Sequence, residues 1–188
     1  MSKLILIKHA KPQMDESVPS SQWVLSDAGR ASCTPLAERL RPLGVEWVVT
    51  SEEHKAAETG RLVAAALGVP CETAPGLQEH DRSNVPLLPT RQFISSIALL
   101  FNRPGQLVLG LETGAKALKR FERAVFDATD RHPKRTLAIV THGTVMALFA
   151  EAYGGADPFP FWRRMQLPSF AVFNRPDLDL IETVESVA

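Results

Sequence analysis

Cysteine is scarce in this chain: Cys33 and Cys71 are the whole complement, and neither belongs to a Cys-x-x-Cys pair. A thiolate metal site of the usual spacing is therefore excluded, and two free thiols in a reducing compartment are expected. Long apolar runs are missing as well. No stretch approaches the ~20 residues that span a bilayer. Met1-Ser2-Lys3 leads straight into a strand pattern, with no signal-peptide core. A cytoplasmic protein without membrane contact is the expectation. Nor is there a surplus of charge, since 21 Lys plus Arg balance 21 Asp plus Glu. The basic footprint that nucleic acid demands is not visible, so no nucleic-acid partner is expected. Repeats, low-complexity stretches and linkers are lacking too, and residues 1–188 read as one domain.

What is there begins with two histidines, each just past a short aliphatic run. His9 follows Leu4-Ile5-Leu6-Ile7-Lys8, and His142 follows Leu137-Ala138-Ile139-Val140-Thr141. Apolar runs without alternation suit strands buried on both faces, as in a parallel sheet. Residues that follow such strands lie at their carboxyl ends, where open α/β sheets bind ligands. The pattern thus carries both imidazoles to one sheet edge.

The rest of the chain reads as alternating strands and helices. A strand over 3–8 precedes a polar loop and a helix from the Ser26 cap to about Leu43, with Pro35 inside it and Gly44 as its stop. Trp47–Thr50 is a second strand. Ser51 then caps a helix with Glu52 and Glu53 in its first turn, ending at Gly68. Residues 71–90, rich in proline, read as loop. Helices follow over 91–101 and 114–131, a third strand over 136–141, and a helix over 144–153. Residues 169–174 and 180–184 make a terminal antiparallel pair. The fold class is α/β, a three-layer sandwich around a mostly parallel central sheet.

At the strand ends, Lys8 and His9, Ser51 and Lys55, and His142 and Gly143 converge. Two amines, two imidazoles and two helix N-termini facing one crevice suit a phosphate group. An imidazole there can attack phosphorus and form a covalent phosphohistidine. The leaving alkoxide needs a proton. Glu79 and Asp81, in the polar cluster Gln78–Asn84, each qualify as the acid if the carboxyl is held protonated.

These residues also resemble a family, the histidine phosphatase superfamily with its phosphoglycerate mutase-like fold, over nearly the whole chain. Leu6-Ile7-Lys8-His9-Ala10 resembles its opening aliphatic-Arg-His-Gly motif. Leu25-Ser26-Asp27-Ala28-Gly29 is similar to its Leu-Thr-x-x-Gly helix start. Ser51–Thr59 resembles Ser-Pro-Leu-x-Arg-Ala-x-x-Thr. Leu77-Gln78-Glu79 resembles Leu-x-Glu, and Val140-Thr141-His142-Gly143 the second histidine motif. Gly110-Leu111-Glu112 is similar to a Gly-Glu before a family helix. The resemblance implies His9 as phosphate acceptor, His142 as stabiliser of the transferring phosphoryl group, and Glu79 as general acid. It puts Lys8 and Lys55 at two phosphate-binding arginine positions, with Gly143 also at the phosphate.

The departures are chemical ones. Both arginines are lysines, which trades a planar bidentate fork for a point charge. Each lost fork is worth about 1–3 kcal/mol. Ala10 and Pro12 replace Gly and Thr, and Glu52-Glu53 replaces Pro-Leu, bringing acid close to the site. His54 is placed to substitute for Lys55.

The expected activity is a metal-independent phosphatase, without cofactor, working through phosphohistidine. Its partner is a small phosphorylated substrate, a phosphorylated protein side chain, or inorganic phosphate; monomer and homodimer both remain open. The alternative is a non-catalytic phospho-ligand binder of the same fold. A third reading puts zinc or manganese on His9, His142 and Glu79, with His80 or Asp81, against which the two lysines argue. Phe93, Phe159, Phe161 and Trp162 are candidates for an apolar pocket wall.

Overall fold

The computed structural model describes residues 2–187. Its strands are β1 (Lys3–Lys8), β2 (Trp47–Thr50), β3 (Cys71–Thr73), β4 (Leu137–Thr141), β5 (Ser169–Asn174) and β6 (Leu180–Val184). Its helices are α1 (Asp27–Leu40), α2 (His54–Leu67), α3 (Thr90–Asn102), α4 (Gly114–Arg131), α5 (Gly143–Gly154) and α6 (Pro158–Arg164). The strands form one sheet in the order β3-β2-β4-β1-β5-β6. β3, β2, β4 and β1 run parallel, and β5 pairs antiparallel with β1 on one side and with β6 on the other.

The period of a strand assigns the two layers of helix. Leu4 and Leu6 of β1 point into a core with Phe121 and Val125 of α4 and Val145 and Phe149 of α5. Ile5 and Ile7, one residue out of phase, pack with Leu36 and Leu40 of α1 and Val63 of α2. Helices therefore cover both faces, which is why β1 and β4 read as unbroken aliphatic runs. Among the described residues, no helix is long and apolar enough to cross a membrane.

Three local expectations change, and one helix is added. α1 passes through Pro35 and ends at Leu40; Arg41–Leu43 is a 3₁₀ turn closed by Gly44 at φ 69°. Ser51 does not cap α2, which starts at His54, so Glu52 and Glu53 precede the helix. The Ser51 hydroxyl is engaged by His142 instead. β3 lies within the expected loop, too short at three residues to print a period. α6 begins with Pro158, at a first-turn position whose N–H would have no intrahelical partner.

Candidate active site

Pairing register builds the site. Lys8 is level with Thr141 across β1 and β4, and Thr50 is level with Val140 across β2 and β4. His9, Ser51 and His142 are the next residues on each strand, so they meet at one edge. The imidazole centroids are 5.2 Å apart, with ring planes at 61°. His9 is 7% exposed and His142 is fully buried.

His9 Nδ1 lies 2.8 Å from the Ala10 carbonyl, which can only accept. The proton is thereby fixed on Nδ1, and Nε2 keeps its lone pair. Burial, then the neighbouring His142 and Lys55, holds His9 well below its ordinary value. The ring is neutral at pH 7, with the Nε2 lone pair free. Thr59 ties this loop to α2: its Oγ1 accepts from the Ala10 N–H at 3.0 Å and donates to the Lys55 carbonyl at 2.7 Å.

His142 Nε2 lies 2.9 Å from Ser51 Oγ and 3.6 Å from Glu53 Oε1, while Nδ1 has no hydrogen-bond partner. Burial lowers His142 to about 4, with Glu53 working in the opposite direction.

Both lysines reach the site, and each already has partners. Lys8 Nζ donates to the Met165 carbonyl at 2.7 Å. Burial lowers it to about 8, partly offset by Glu79. Lys55 Nζ donates to Glu53 Oε2 at 2.5 Å and to the Ser20 carbonyl at 2.6 Å. An ammonium has three donors, so Lys8 keeps two and Lys55 one for a ligand. His54 is exposed and bonds the Gln22 carbonyl, not the site.

Glu79 caps α5. Its carboxylate accepts from the N–H groups of Thr144 at 3.1 Å, Val145 at 3.3 Å and His80 at 2.8 Å. Burial alone would raise this carboxyl. Arg82, His142 and those N–H donors outweigh burial and hold it well below the usual carboxylate range. Asp81 is exposed and accepts from the N–H and hydroxyl of Ser83. Gly143 stands against Lys8 and Trp162: a Cβ there would lie 3.1 Å from Lys8 Cε and from Trp162 Nε1.

The loop that carries Glu79 is strapped from outside. Arg120 donates to the carbonyls of Gly76, Gln78 and Glu79 and pairs with Glu112. Glu112 accepts from the Asp81 N–H at 2.9 Å, and its carbonyl lies 2.7 Å from His80 Nε2. His80 is thus a buried tether rather than a loop surface residue. Gly110, at φ 77°, lets the chain pass the Asp81 carbonyl, which a Cβ would approach to 2.1 Å.

Sequence reasoning assigned no role to Arg82. Its guanidinium lies 3.4 Å from Glu79 Oε2 and from Thr144 Oγ1, and sits 5.1 Å over the Phe93 ring. Nothing in the sequence marks it apart from other loop arginines. Phe93 and Phe159 both pack on Trp162 beside the site, whereas Phe161 belongs to the core. A cavity of about 450 Å³ opens beside Glu79, walled by Pro19, Ser20, Glu53, Glu79, His80 and Arg82 among others; neither His9 nor His142 is among its walls. Among the described residues, no group of three His, Cys, Asp or Glu is arranged to hold a metal ion. The set can bind a tetrahedral anion and offers it an uncharged nucleophile.

The sequence matches the family described as Histidine phosphatase superfamily (branch 1) over residues 4–174. Mycobacterial glucosyl-3-phosphoglycerate phosphatase superposes with a TM-score of 0.77 at 15% identity, covering 98% of this chain and 99% of that one. Bacillus stearothermophilus YhfR gives 0.76 at 21% identity, with coverage of 98% and 96%. A variant of the Entamoeba histolytica phosphoserine phosphatase, in complex with phosphoserine, gives 0.77 at 15% identity, with coverage of 100% and 98%. A comparison with curated protein sequences finds no match.

Proposed function

This chain belongs to the histidine phosphatase superfamily, and from that premise we propose that it is a metal-independent phosphomonoesterase working as a single cytoplasmic domain. The observation that carries the reading is the tautomer of His9. Its Nδ1–H is committed to the Ala10 carbonyl, so Nε2 is left as a nucleophile beside a second imidazole and three cations, Lys8, Lys55 and Arg82.

In the first step Nε2 attacks phosphorus and the P–O bond to the leaving alkoxide breaks. Lys8, Lys55 and Arg82 neutralise the phosphoryl oxygens, and His142 Nδ1 faces the transferring group. Glu79 donates the proton that the alkoxide takes. A phosphoryl dianion beside Glu79, drawing Arg82 toward itself, raises the carboxyl from its low resting value, and the carboxylate takes up one proton from solvent as the substrate binds. In the second step water attacks the phosphohistidine. Glu79 takes the water proton, the P–N bond breaks, and His9 and phosphate are regenerated. The substrate is a small phosphomonoester or a phosphorylated protein side chain.

The test is trapping with a labelled phosphomonoester and no added metal. Wild type should carry an acid-labile phosphate, and His9→Ala should carry none and lose turnover. Full activity in His9→Ala would falsify the mechanism. A second reading, ligand binding without turnover, is favoured by the prior engagement of Lys8 with Met165 and of Lys55 with Glu53 and Ser20. Lys8→Arg with Lys55→Arg separates the two: a gain in turnover supports a weakened phosphatase, and phosphate binding with no turnover in either form supports the binder.

A further inference from the structure

Glu53 has no part in the mechanism above, yet it is among the buried charged residues of the chain at 9% exposure. It stands at the N-cap of α2, but its carboxylate caps nothing there. Oε2 takes the Lys55 ammonium at 2.5 Å. Oε1 accepts the Glu79 N–H at 2.8 Å and lies 3.6 Å from His142 Nε2. The motif that this segment resembles has leucine at that place.

The fixed charges at the site are Lys8, Lys55 and Arg82 against Glu53 and Glu79, a net of one positive while both imidazoles are neutral. A phosphoryl dianion would turn that into one uncompensated negative charge in a region with little water, which is strongly unfavourable. A proton removes the deficit. A place for it exists: His142 Nδ1 is buried without a partner, and its other nitrogen faces Ser51 Oγ and Glu53. With a neutral residue at 53 the same set carries two positive charges, and a dianion balances it with no proton at all.

We propose that Glu53 makes anion binding proton-coupled: a tetrahedral dianion enters together with one proton drawn from solvent, held among Glu53, His142 and Glu79, and this is the proton that Glu79 passes to the leaving alkoxide in turnover. This rests on the reading that the phosphoryl group binds at His9 and His142. The charged groups facing Glu53 and His142 are Lys55 on α2, Glu79 and Arg82 from the loop before α3, and His9 and Lys8 after β1. A substitution at 53 removes the carboxylate that Lys55 and the Glu79 N–H bond and leaves Lys8, His9 and Arg82 as the common background of the three proteins.

The experiment is calorimetric binding of sulfate, which stays a dianion through the neutral range, and of inorganic phosphate, to the full chain. Two buffers of different ionisation heat give the proton count. Wild type should take up about one proton per sulfate at pH 7, with affinity falling about tenfold per pH unit. Glu53→Gln and Glu53→Leu should take up almost none, and should bind sulfate more tightly than wild type at pH 8. A wild-type count near zero overturns the proposal without recourse to variants, as does an equal count in all three proteins. If neither ion binds wild type, the phosphoryl-site reading fails and the proposal falls with it. If the ions bind and the proton count is the same in wild type and both variants, the proposal alone fails.

Discussion

Lys8 sets activity and stability moving in opposite directions with pH. Burial lowers its ammonium from 10.5 to about 8, Glu79 partly restores the charge, and Arg82 opposes it. Above pH 8 the free protein loses this cation, and phosphate loses a partner. Arginine at the same place stays charged throughout. The ratio of kcat/KM for wild type to that for Lys8→Arg should therefore fall about tenfold per pH unit above pH 8. Ionisation of the substrate and of the Glu53–His142 pair is common to both proteins and cancels. Stability runs the other way. The unfolded lysine titrates near 10.5 and the native one near 8. Between those values the unfolded chain binds more protons, so stability rises with pH. At 1.36 kcal/mol per pH unit the gap is worth about 3 kcal/mol, a penalty fully present below pH 8 and absent above 10.5. Lys8→Met has no such titration. Urea unfolding of the two proteins from pH 7 to pH 10 should show their difference in stability changing by most of that amount, in favour of wild type as pH rises. A constant difference, together with a flat activity ratio, refutes the buried ammonium.

Two further substitutions test the acid and the third cation. Arg82→Ala removes a guanidinium from Glu79 and Thr144; loss of one charge-assisted contact, about 1.5–3 kcal/mol, should weaken inhibition by phosphate or vanadate about 10- to 100-fold. Unchanged inhibition would confine Arg82 to packing on Phe93. Glu79→Gln keeps the shape of the carboxylate that caps α5 but cannot supply a proton. Turnover of alkyl phosphates should fall about 10²–10⁴-fold, while aryl phosphates with good leaving groups change little. An equal loss on both kinds of ester would assign Glu79 to holding α5 rather than to proton transfer.

The sheet edge was legible because strand burial is written directly in residue type. Leu4–Ile7 and Leu137–Val140 have no polar member, so the two histidines after them had to share an edge once the strands paired. The terminal antiparallel pair was legible from the Arg175-Pro176-Asp177 turn between two strand-like runs, and α4 from its period of 3.6. β3 was hidden by its brevity, and α6 by its seven residues, two of them prolines, Pro158 and Pro160, both in the first turn. At the site, residue types placed Lys8, Lys55 and Glu79 near the imidazoles but said nothing of their partners. Met165, Ser20 and the α5 N–H groups lie far off in sequence or offer only backbone atoms, which leave no mark in side-chain pattern. Arg82 was illegible for a related reason: its role comes from the turn of the 78–84 loop under Arg120 and Glu112.

The two lysines are not equivalent departures from the arginine pattern. A guanidinium keeps its proton when buried, whereas a buried ammonium is favoured by a counter-charge close by. Lys55 has one in Glu53 at 2.5 Å, on the residue two before it. Lys8 has a backbone carbonyl as its partner and Glu79 only at a distance, and burial takes its ammonium down to about 8. The carboxylate at 53 and the ammonium at 55 thus form one unit. Glu53 without Lys55 would be a buried carboxylate beside Glu79, and Lys55 without Glu53 would be a buried cation beside two imidazoles. The carboxylate that stabilises Lys55 also opposes every anion entering the site. It follows that the site's preference for a dianion is set less by the number of its cations than by whether a proton accompanies the ligand.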